Sequence, residues 1–599
     1  MANVDGSATL QRDREHGAHF AVSPSDPRSI FVPEDFSAEQ VMFARTAREF
    51  VEREVRPVAE RLEHQDWELT VALLRKAGDM GLLAADIPET YGGLDLDKVS
   101  STLIGEHLSG AGSFALSHGA NVGIGTLPIV LFGTEEQRAR YLPRLATGEW
   151  FAAYALTEPD SGSDALGARA TARLSPDGSH YVLNGRKQFI TNSAFADVFI
   201  VYAKIDGQQF SAFIVERTFP GVATGPEEKK MGIKASSTRA LILDDVRVPK
   251  ENLLGQAGRG HVIAFNILNI GRYKLAAGCV GAAKEALELT ARYANTRRQF
   301  GRPIASFPLI QAKIGRMAAY LYASESAVYR TAGAMDAALS EVGDEAGDRG
   351  PQIAARIAEF AVECSVNKVF GSEMLDFVVD EGVQIHGGAG YIQEFAIERM
   401  YRDSRINRIF EGTNEINRLL IPGTLLKWAE QGKLALYNAA RAVQAEILEP
   451  IRAAAQGGPL ERETQMVTVI RKLFLLAGGM AVQTFGQRIE DEQEVLAALA
   501  DMVIALYTAE SALVRAGQCA ARQLPAAEAH RDLAALYIAH AFPAVEEAAR
   551  QVFAACTEGD ELAAACAAAR KLARGVPGNS VTLGRRVASR VLTTERYLS

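Results

Sequence analysis

Arg405-Ile-Asn-Arg-Ile-Phe-Glu411-Gly412-Thr413-Asn-Glu415-Ile-Asn-Arg418 sets one carboxylate, Glu411, between an apolar Ile-Phe pair and a flexible Gly-Thr step. Such a setting strips water from the carboxylate, disfavours its charged form and raises its pKa from about 4.3 toward neutrality, where a general base works. Taken alone, the stretch also admits a plainer reading, because glutamates beside Gly-Thr are commonly helix-start residues or solvated surface acids.

A second segment changes the balance. Tyr154-Ala-Leu-Thr157-Glu158-Pro159-Asp160-Ser161-Gly162-Ser163-Asp164 reads as an apolar strand running into a turn rich in hydroxyls and free backbone N–H groups. A turn of that kind binds the polar edge of a ring or a phosphate. With Phe189-Ile190-Thr191-Asn192, Arg297-Arg298-Gln299-Phe300-Gly301 and Gln384-Ile-His-Gly-Gly-Ala-Gly390, these segments resemble the acyl-CoA dehydrogenase family of flavoenzymes. The resemblance runs in order over roughly residues 36–425.

Composition is compatible with that resemblance. A chain of 599 residues forms several domains, since single cores seldom grow past about 250–300 residues. The net charge of -9 argues against a nucleic-acid-binding role, whose usual mark is a basic face. Cys279, Cys364, Cys519, Cys556 and Cys566 have neither metal-ligand spacing nor a disulfide framework, which points to a reducing compartment. The N-terminus lacks the apolar core of a secretory signal and carries Asp5, Asp13, Glu15 and Asp26, which a transit peptide avoids; a bacterial cytoplasmic location is expected. No apolar run reaches the 18 residues of a membrane span, Leu473 to Val482 being short.

Periodicity divides the chain. After a loose tail over 1–35, helical spacing of Val41, Ala44, Ala47 and Val51 predicts an all-helical domain over 36–148. The period falls to two over 149–258, with strands at 181–184, 198–203, 210–215 and 240–248 and hairpin turns at Pro176-Asp177-Gly178 and Asp206-Gly207, as in a small antiparallel barrel or sandwich. Long helices at 261–296, 307–339, 351–383 and 414–428 predict a four-helix bundle over 259–429, with an exposed acidic loop at 341–350. Ala- and Leu-rich helices over 430–599, broken at Gly457-Gly458-Pro459 and Pro577-Gly578, form an additional domain. The fold class is α+β, mostly α.

What the resemblance implies is specific. The reaction is α,β-dehydrogenation of an acyl-CoA thioester to the trans-2-enoyl-CoA, as in fatty-acid β-oxidation, with Glu411 as base and its backbone N–H helping to hold the enolate oxygen. FAD is the implied hydride acceptor. The short Gly123-Ile-Gly125 is a weak dinucleotide signal and is rejected, because it has no third glycine in register and a helical context. By resemblance, Tyr154, Leu156, Thr157 and Ser163 form the first flavin segment and Phe189, Ile190 and Thr191 the second. Many relatives carry Trp where this chain has Phe189, so an indole N–H is lost. Arg297, Gln299, Phe300, Gln311, Gln384, Gly387 and Gly388 match positions that hold the adenosine and pyrophosphate from a neighbouring subunit, which implies a homodimer or a dimer of dimers. Thr413 and Glu415 lie along the cofactor, and Ser163, Asn269, Arg272 and Gly412 flank the substrate.

Some family branches place the base at the position of Gly271, which has no side chain to offer. His118, His261 and His386 lack metal spacing and read as packing residues; no metal is expected. Small Ser117, Gly119 and Ala120 leave room for a long acyl tail, although Leu116 is bulky. Electron-transfer flavoprotein is the implied electron acceptor. The alternatives are an acyl-CoA oxidase and a non-catalytic scaffold built on the helical C-terminal region. Peripheral membrane contact through Lys433 to Leu448 stays open, since an apolar stripe there is also what a core or dimer contact needs.

Overall fold

The computed structural model describes residues 15–343, 349–448, 458, 460–574 and 578–598. Asp5 and Asp13, residues 344–348 of the acidic loop, and Gly457, Pro459 and Pro577 of the C-terminal interruptions lie outside the described residues.

Helix starts in the N-terminal domain follow from local capping. Ser37 Oγ accepts from Gln40 N at 3.1 Å while Gln40 Oε1 accepts from Ser37 N at 3.0 Å, a reciprocal pair that opens Ala38–Phe50. Thr134 and Gln137 repeat the device at Glu135–Thr147.

The central domain is one sheet of eight strands: β1 (Ala152–Ala155), β2 (Thr171–Leu174), β3 (His180–Thr191), β4 (Val198–Ile205), β5 (Gln209–Glu216), β6 (Val222–Thr224), β7 (Thr238–Pro249) and β8 (Leu253–Leu254). The strand order is β6-β7-β3-β2-β4-β5-β8. It differs from the expected antiparallel barrel in two respects. The sheet is open, and β4 shares one edge between β1 and β2, both parallel to it. Asp206 and Gly207 both take positive φ in the three-residue hairpin connection 206–208 between β4 and β5.

The bundle contains helices Gly260–Thr296, Pro308–Leu339, Ala361–His386 and Asn414–Glu430. The third differs from expectation, because the single predicted helix over 351–383 is broken into Arg349–Ala358 and Ala361–His386. The reason lies in the N-terminal segment. Ala18 N donates to Glu363 Oε1 at 2.5 Å, and Gly17 runs so close to the Glu359 carbonyl that no side chain fits there. Helices Gly260–Thr296 and Ala361–His386 run parallel and close: a methyl group on Gly371 would stand 2.8 Å from Ala276 Cβ, and one on Gly382 would stand 3.1 Å from Thr290 Oγ1.

The expected loose tail is also corrected from residue 15 onward. Ala18, Phe20, Ile30 and Val32 are buried, and the segment is strapped to the C-terminal helices by ion pairs. Arg330, 0% exposed, pairs with Glu15 and with Glu510 at 3.0 Å; Arg515 joins Glu34 and Glu325, each at 2.6 Å. Helices Glu461–Phe485, Gln493–Ala521, Ala527–Cys556 and Ser580–Thr594 share one apolar core with the bundle, in which Leu321 and Val328 meet residues such as Leu506, Leu536 and Val587. Three helical stretches, Phe114–Phe132, Glu461–Asp491 and Gln493–Ala521, are long and apolar enough to cross a membrane by length and composition, contrary to the reading from uninterrupted runs. Most of each is packed inside the protein, which accounts for its apolar character.

Arg330→Met removes the cation that compensates Glu15 in a buried site. It is expected to lower the stability by about 3–5 kcal/mol, read as a fall in the denaturant midpoint; an unchanged midpoint would show that the strap does not depend on this pair.

Candidate active site

Glu411 sits at the entrance to helix Asn414–Glu430, in a loop that geometry allows little freedom. Glu411 and Gly412 both take positive φ, 59° and 80°. Thr413 Oγ1 caps the helix by accepting from Ile416 N at 3.2 Å, and Asn417 Nδ2 lies within 2.9–3.5 Å of the carbonyls of Glu411, Gly412 and Thr413. Arg272 Nε donates to the Glu411 carbonyl at 3.2 Å, and Arg272 Nη1 donates to Asn269 Oδ1 at 3.0 Å. These bonds hold the backbone and leave the carboxylate free.

That carboxylate lies flat against Gly271. A methyl group on Gly271 would stand 2.8 Å from Glu411 Oε2 and 3.2 Å from its Cδ, so glycine is what makes room for the acid. The residue as a whole is partly exposed, but Oε2 is buried and has no hydrogen-bond partner among the described residues. Burial pushes the Glu411 carboxyl up to about 7, against the pull of Arg272 and Lys368. Among the described residues, no hydrogen bond uses the Glu411 backbone N–H. The arrangement therefore offers a poised base and a free donor on one residue.

Lys368 is a site residue that sequence reasoning missed. Its signal is a charge set among Val362, Val366 and Val369 on a helix, a position where lysine is rare. Its Nζ donates to Asn414 Oδ1 at 2.6 Å.

The two segments expected around the flavin ring meet on the sheet. The β3–β7 register slips between Lys187 and Ile190, and this bulge turns Phe189 outward with φ 59° and 58% exposure. Gln188 N donates to the Thr157 carbonyl at 2.8 Å, which draws the end of the first segment to the bulge. Beneath it Lys187 and Glu158 form a buried pair at 2.6 Å, and Glu158 also accepts from Arg169 N and Ala170 N, which pins the Thr157-Glu158-Pro159 turn. Thr157 and Thr191 are half-buried, Leu156 and Ile190 buried, and Ser163 exposed. Tyr154 lies on the same side of β1 as Leu156, its ring 5.2 Å from that of Tyr202.

The third group lies elsewhere. Arg297 follows the end of helix Gly260–Thr296, and Arg298 belongs to a two-residue strand, Arg298–Gln299, that pairs with Arg302–Pro303 in a short hairpin. Phe300 at its tip has φ 50° and is 91% exposed. Gln311 opens the next helix, where its Nε2 donates to the Ala305 carbonyl at 3.1 Å. Gln384, Gly387 and Gly388 gather at this same end, where Tyr293 stacks on His386 at 4.1 Å. From Gly271 to Thr296 is continuous helix, so this group stands roughly 37 Å from Glu411 at about 1.5 Å per residue. One chain does not bring the two groups together. Thr413 caps the Glu411 helix, and Glu415 projects outward from its first turn. His118 is buried with Nε2 2.8 Å from the Leu82 carbonyl, and His386 Nδ1 is 2.7 Å from that of Gly382; both serve as packing and hydrogen-bonding residues.

Family models for the acyl-CoA dehydrogenase N-terminal, middle and C-terminal domains match residues 37–149, 153–246 and 258–426, and a further acyl-CoA dehydrogenase C-terminal model matches 469–571. A probable acyl-CoA dehydrogenase of Bacillus subtilis is 55% identical over 98% of this chain and 99% of its own. The mitochondrial very long-chain specific acyl-CoA dehydrogenase of Bos taurus is 37% identical, over 78% of this chain and 72% of its own. The crystal structure of an acyl-CoA dehydrogenase from Bacillus anthracis, complexed with FAD, superposes with a TM-score of 0.96 at 54% identity, covering 98% of this chain and 100% of that one. The family models together with the full-length match make this chain a member of the acyl-CoA dehydrogenase family.

Proposed function

We propose that the chain removes the α proton of an acyl-CoA thioester with Glu411 while the β hydride leaves to FAD. The single observation that carries this is the Glu411 carboxylate, buried against Gly271 with Oε2 unpartnered. The fit to FAD rests on Phe189, an aromatic ring exposed at a strained bulge beside the Thr157 and Thr191 hydroxyls, and on the solvent-facing Phe300 hairpin. Phe189, Thr157 and Thr191 would hold the ring, and Arg297, Gln299, Gln384 and Gly388 of a neighbouring subunit its distal end. FAD, when bound, supplies the two-electron acceptor that no side chain provides.

The residues of the chain do the rest. Glu411 takes the proton, and a carboxyl poised near neutrality accepts it without a large mismatch. The free Glu411 N–H is a donor for the thioester oxygen as negative charge gathers there. Arg272 holds the loop through the Glu411 carbonyl, so the base does not swing away from the helix wall. A homodimer, electron transfer to an electron-transfer flavoprotein and a role in fatty-acid β-oxidation belong to this proposal; the roughly 37 Å gap within one chain supports the first.

We also propose a long-chain substrate. Ser117 and Ala120 are small, and Gly123 is buried with no atom within 4 Å of where a Cβ would stand, which leaves space along that helix. The very long-chain relative lends the same support.

Glu411→Gln is expected to cut kcat/KM by about 100- to 10,000-fold, the usual range for a general base, with FAD still bound. Wild-type kcat/KM should fall as pH drops below about 7, where Glu411 protonates; a profile flat down to pH 5 would contradict the assignment. In a chain-length series, kcat/KM should rise from butyryl- to palmitoyl-CoA, and a maximum at butyryl-CoA would refute the long-chain reading.

Stability carries the opposite sign. A carboxyl with a folded-state pKa of about 7 against about 4.3 unfolded makes the unfolded chain bind fewer protons between those values, so Glu411 costs stability as pH rises through them. Glu411→Gln is expected to melt above wild type at pH 8, with the advantage shrinking toward pH 4. Equal melting temperatures at pH 8 would show that the carboxylate is not desolvated.

A further inference from the structure

A buried cation with no counter-ion stands behind the Glu411 loop. Lys368 is 0% exposed, and among the described residues the one hydrogen bond of its Nζ is to Asn414 Oδ1 and no carboxylate lies within 4.0 Å of it. Burying an ammonium is costly unless some charge answers it. Other lysines sunk into the fold pair directly with carboxylates: Lys98 and Lys274 with Asp86, Lys187 with Glu158, Lys284 with Glu106 and Glu325. Lys368 differs from all of these, and Asn414, its partner, lies three residues from the base.

The positive charges that act on the Glu411 carboxyl come from two helices. Arg272 projects from Gly260–Thr296 and Lys368 from Ala361–His386. Tyr154 of β1 approaches from the sheet. The thiols of Cys364 and Cys279, beside Arg272 and Lys368, are pushed up by burial and stay neutral. Glu415 is exposed on the outer side of its helix. Arg272 directs two of its five donors to the Glu411 carbonyl and to Asn269, and Lys368 directs one of its three to Asn414.

Asn414 is itself anchored. Its Nδ2 donates to Glu373 Oε1 at 2.9 Å, Arg418 bridges Glu373 at 2.7 Å, and Arg418 Nε reaches Asp501 of the C-terminal domain at 2.8 Å. The ammonium is thereby held at a fixed place relative to the loop.

We propose that Lys368 is a positioning residue for the base: fixed at Asn414, its ammonium supplies the positive potential that keeps Glu411 ionisable in a dry site. The inference rests on Glu411 being the base. Burial pushes Lys368 down to about 8, and Glu411 is the largest influence opposing that fall, so each charge supports the other.

The test uses the full-length holoenzyme and reads the protonation of Glu411 in two ways: the acid limb of kcat/KM, and the carboxyl infrared band titrated with Glu411→Gln as the blank. Lys368→Met and Lys368→Gln should both move the titration upward by roughly one pH unit, while Lys368→Arg, which keeps the charge, should leave it in place. Lys368→Gln retains a donor for Asn414, so a wild-type titration in that variant would assign Lys368 a purely structural role and overturn the proposal. An unshifted titration in Lys368→Met overturns it equally, and if that variant does not fold, Lys368→Gln decides. Full activity in Glu411→Gln would instead sink the base assignment, a separate failure that the infrared titration distinguishes.

Discussion

A carboxylate pressed against a glycine is the contact on which the site depends. Glu411 Oε2 is buried and unpartnered, an arrangement that costs free energy wherever it occurs and persists only when the surroundings leave no alternative. Here the alternatives are closed one by one. Gly271 leaves a space that this side chain enters, Gly412 lets the chain turn, and Asn417 and Arg272 engage the backbone carbonyls while sparing the acid. The burial that raises the Glu411 carboxyl is thus also what costs the fold stability.

Holding such a loop still requires rigid neighbours, and the long helices provide them. Close glycine contacts at Gly371 and Gly382 bring Gly260–Thr296 and Ala361–His386 together in parallel, so Gly271 and Lys368 meet at one end and Tyr293 and His386 at the other. The C-terminal helices continue the same core, and the N-terminal strap ties across both through Arg330 and Arg515. Because these cations are buried among carboxylates drawn from distant parts of the chain, losing one partner strands the others. The extra helices therefore stiffen the bundle that carries Glu411.

What could be read from the sequence follows from what is local. Ile409-Phe410 before Glu411 announces desolvation, strand alternation at 181–184 announces β3, and Ser37 with Gln40 announces a helix start; each depends on residues within a turn or two. What escaped depends on partners far along the chain. The strap is set by Glu15 with Arg330 and Glu34 with Arg515, pairs separated by hundreds of residues. The break at 359–360 exists because Gly17 and Ala18 occupy that place, and nothing in the helical pattern itself marks it. Lys368 escaped because a lysine in a helix reads as solvated until the opposing helix is known.

Strain gives a last connection among the motifs. Glu411, Phe189 and Phe300 belong to three different segments, yet each is a non-glycine residue with positive φ, at 59°, 59° and 50°. Such a backbone costs roughly 1–2 kcal/mol per residue, and each aims its side chain where a regular strand or helix would not. Phe189 is carried outward by a bulge pinned through Glu158 and Lys187, Phe300 by a hairpin braced where Arg298 donates to Gly301, and Glu411 by the capped helix start. In each case a rigid element on either side offsets the distortion, which explains why the site is built from ends and kinks of the fold while its mass consists of straight helices.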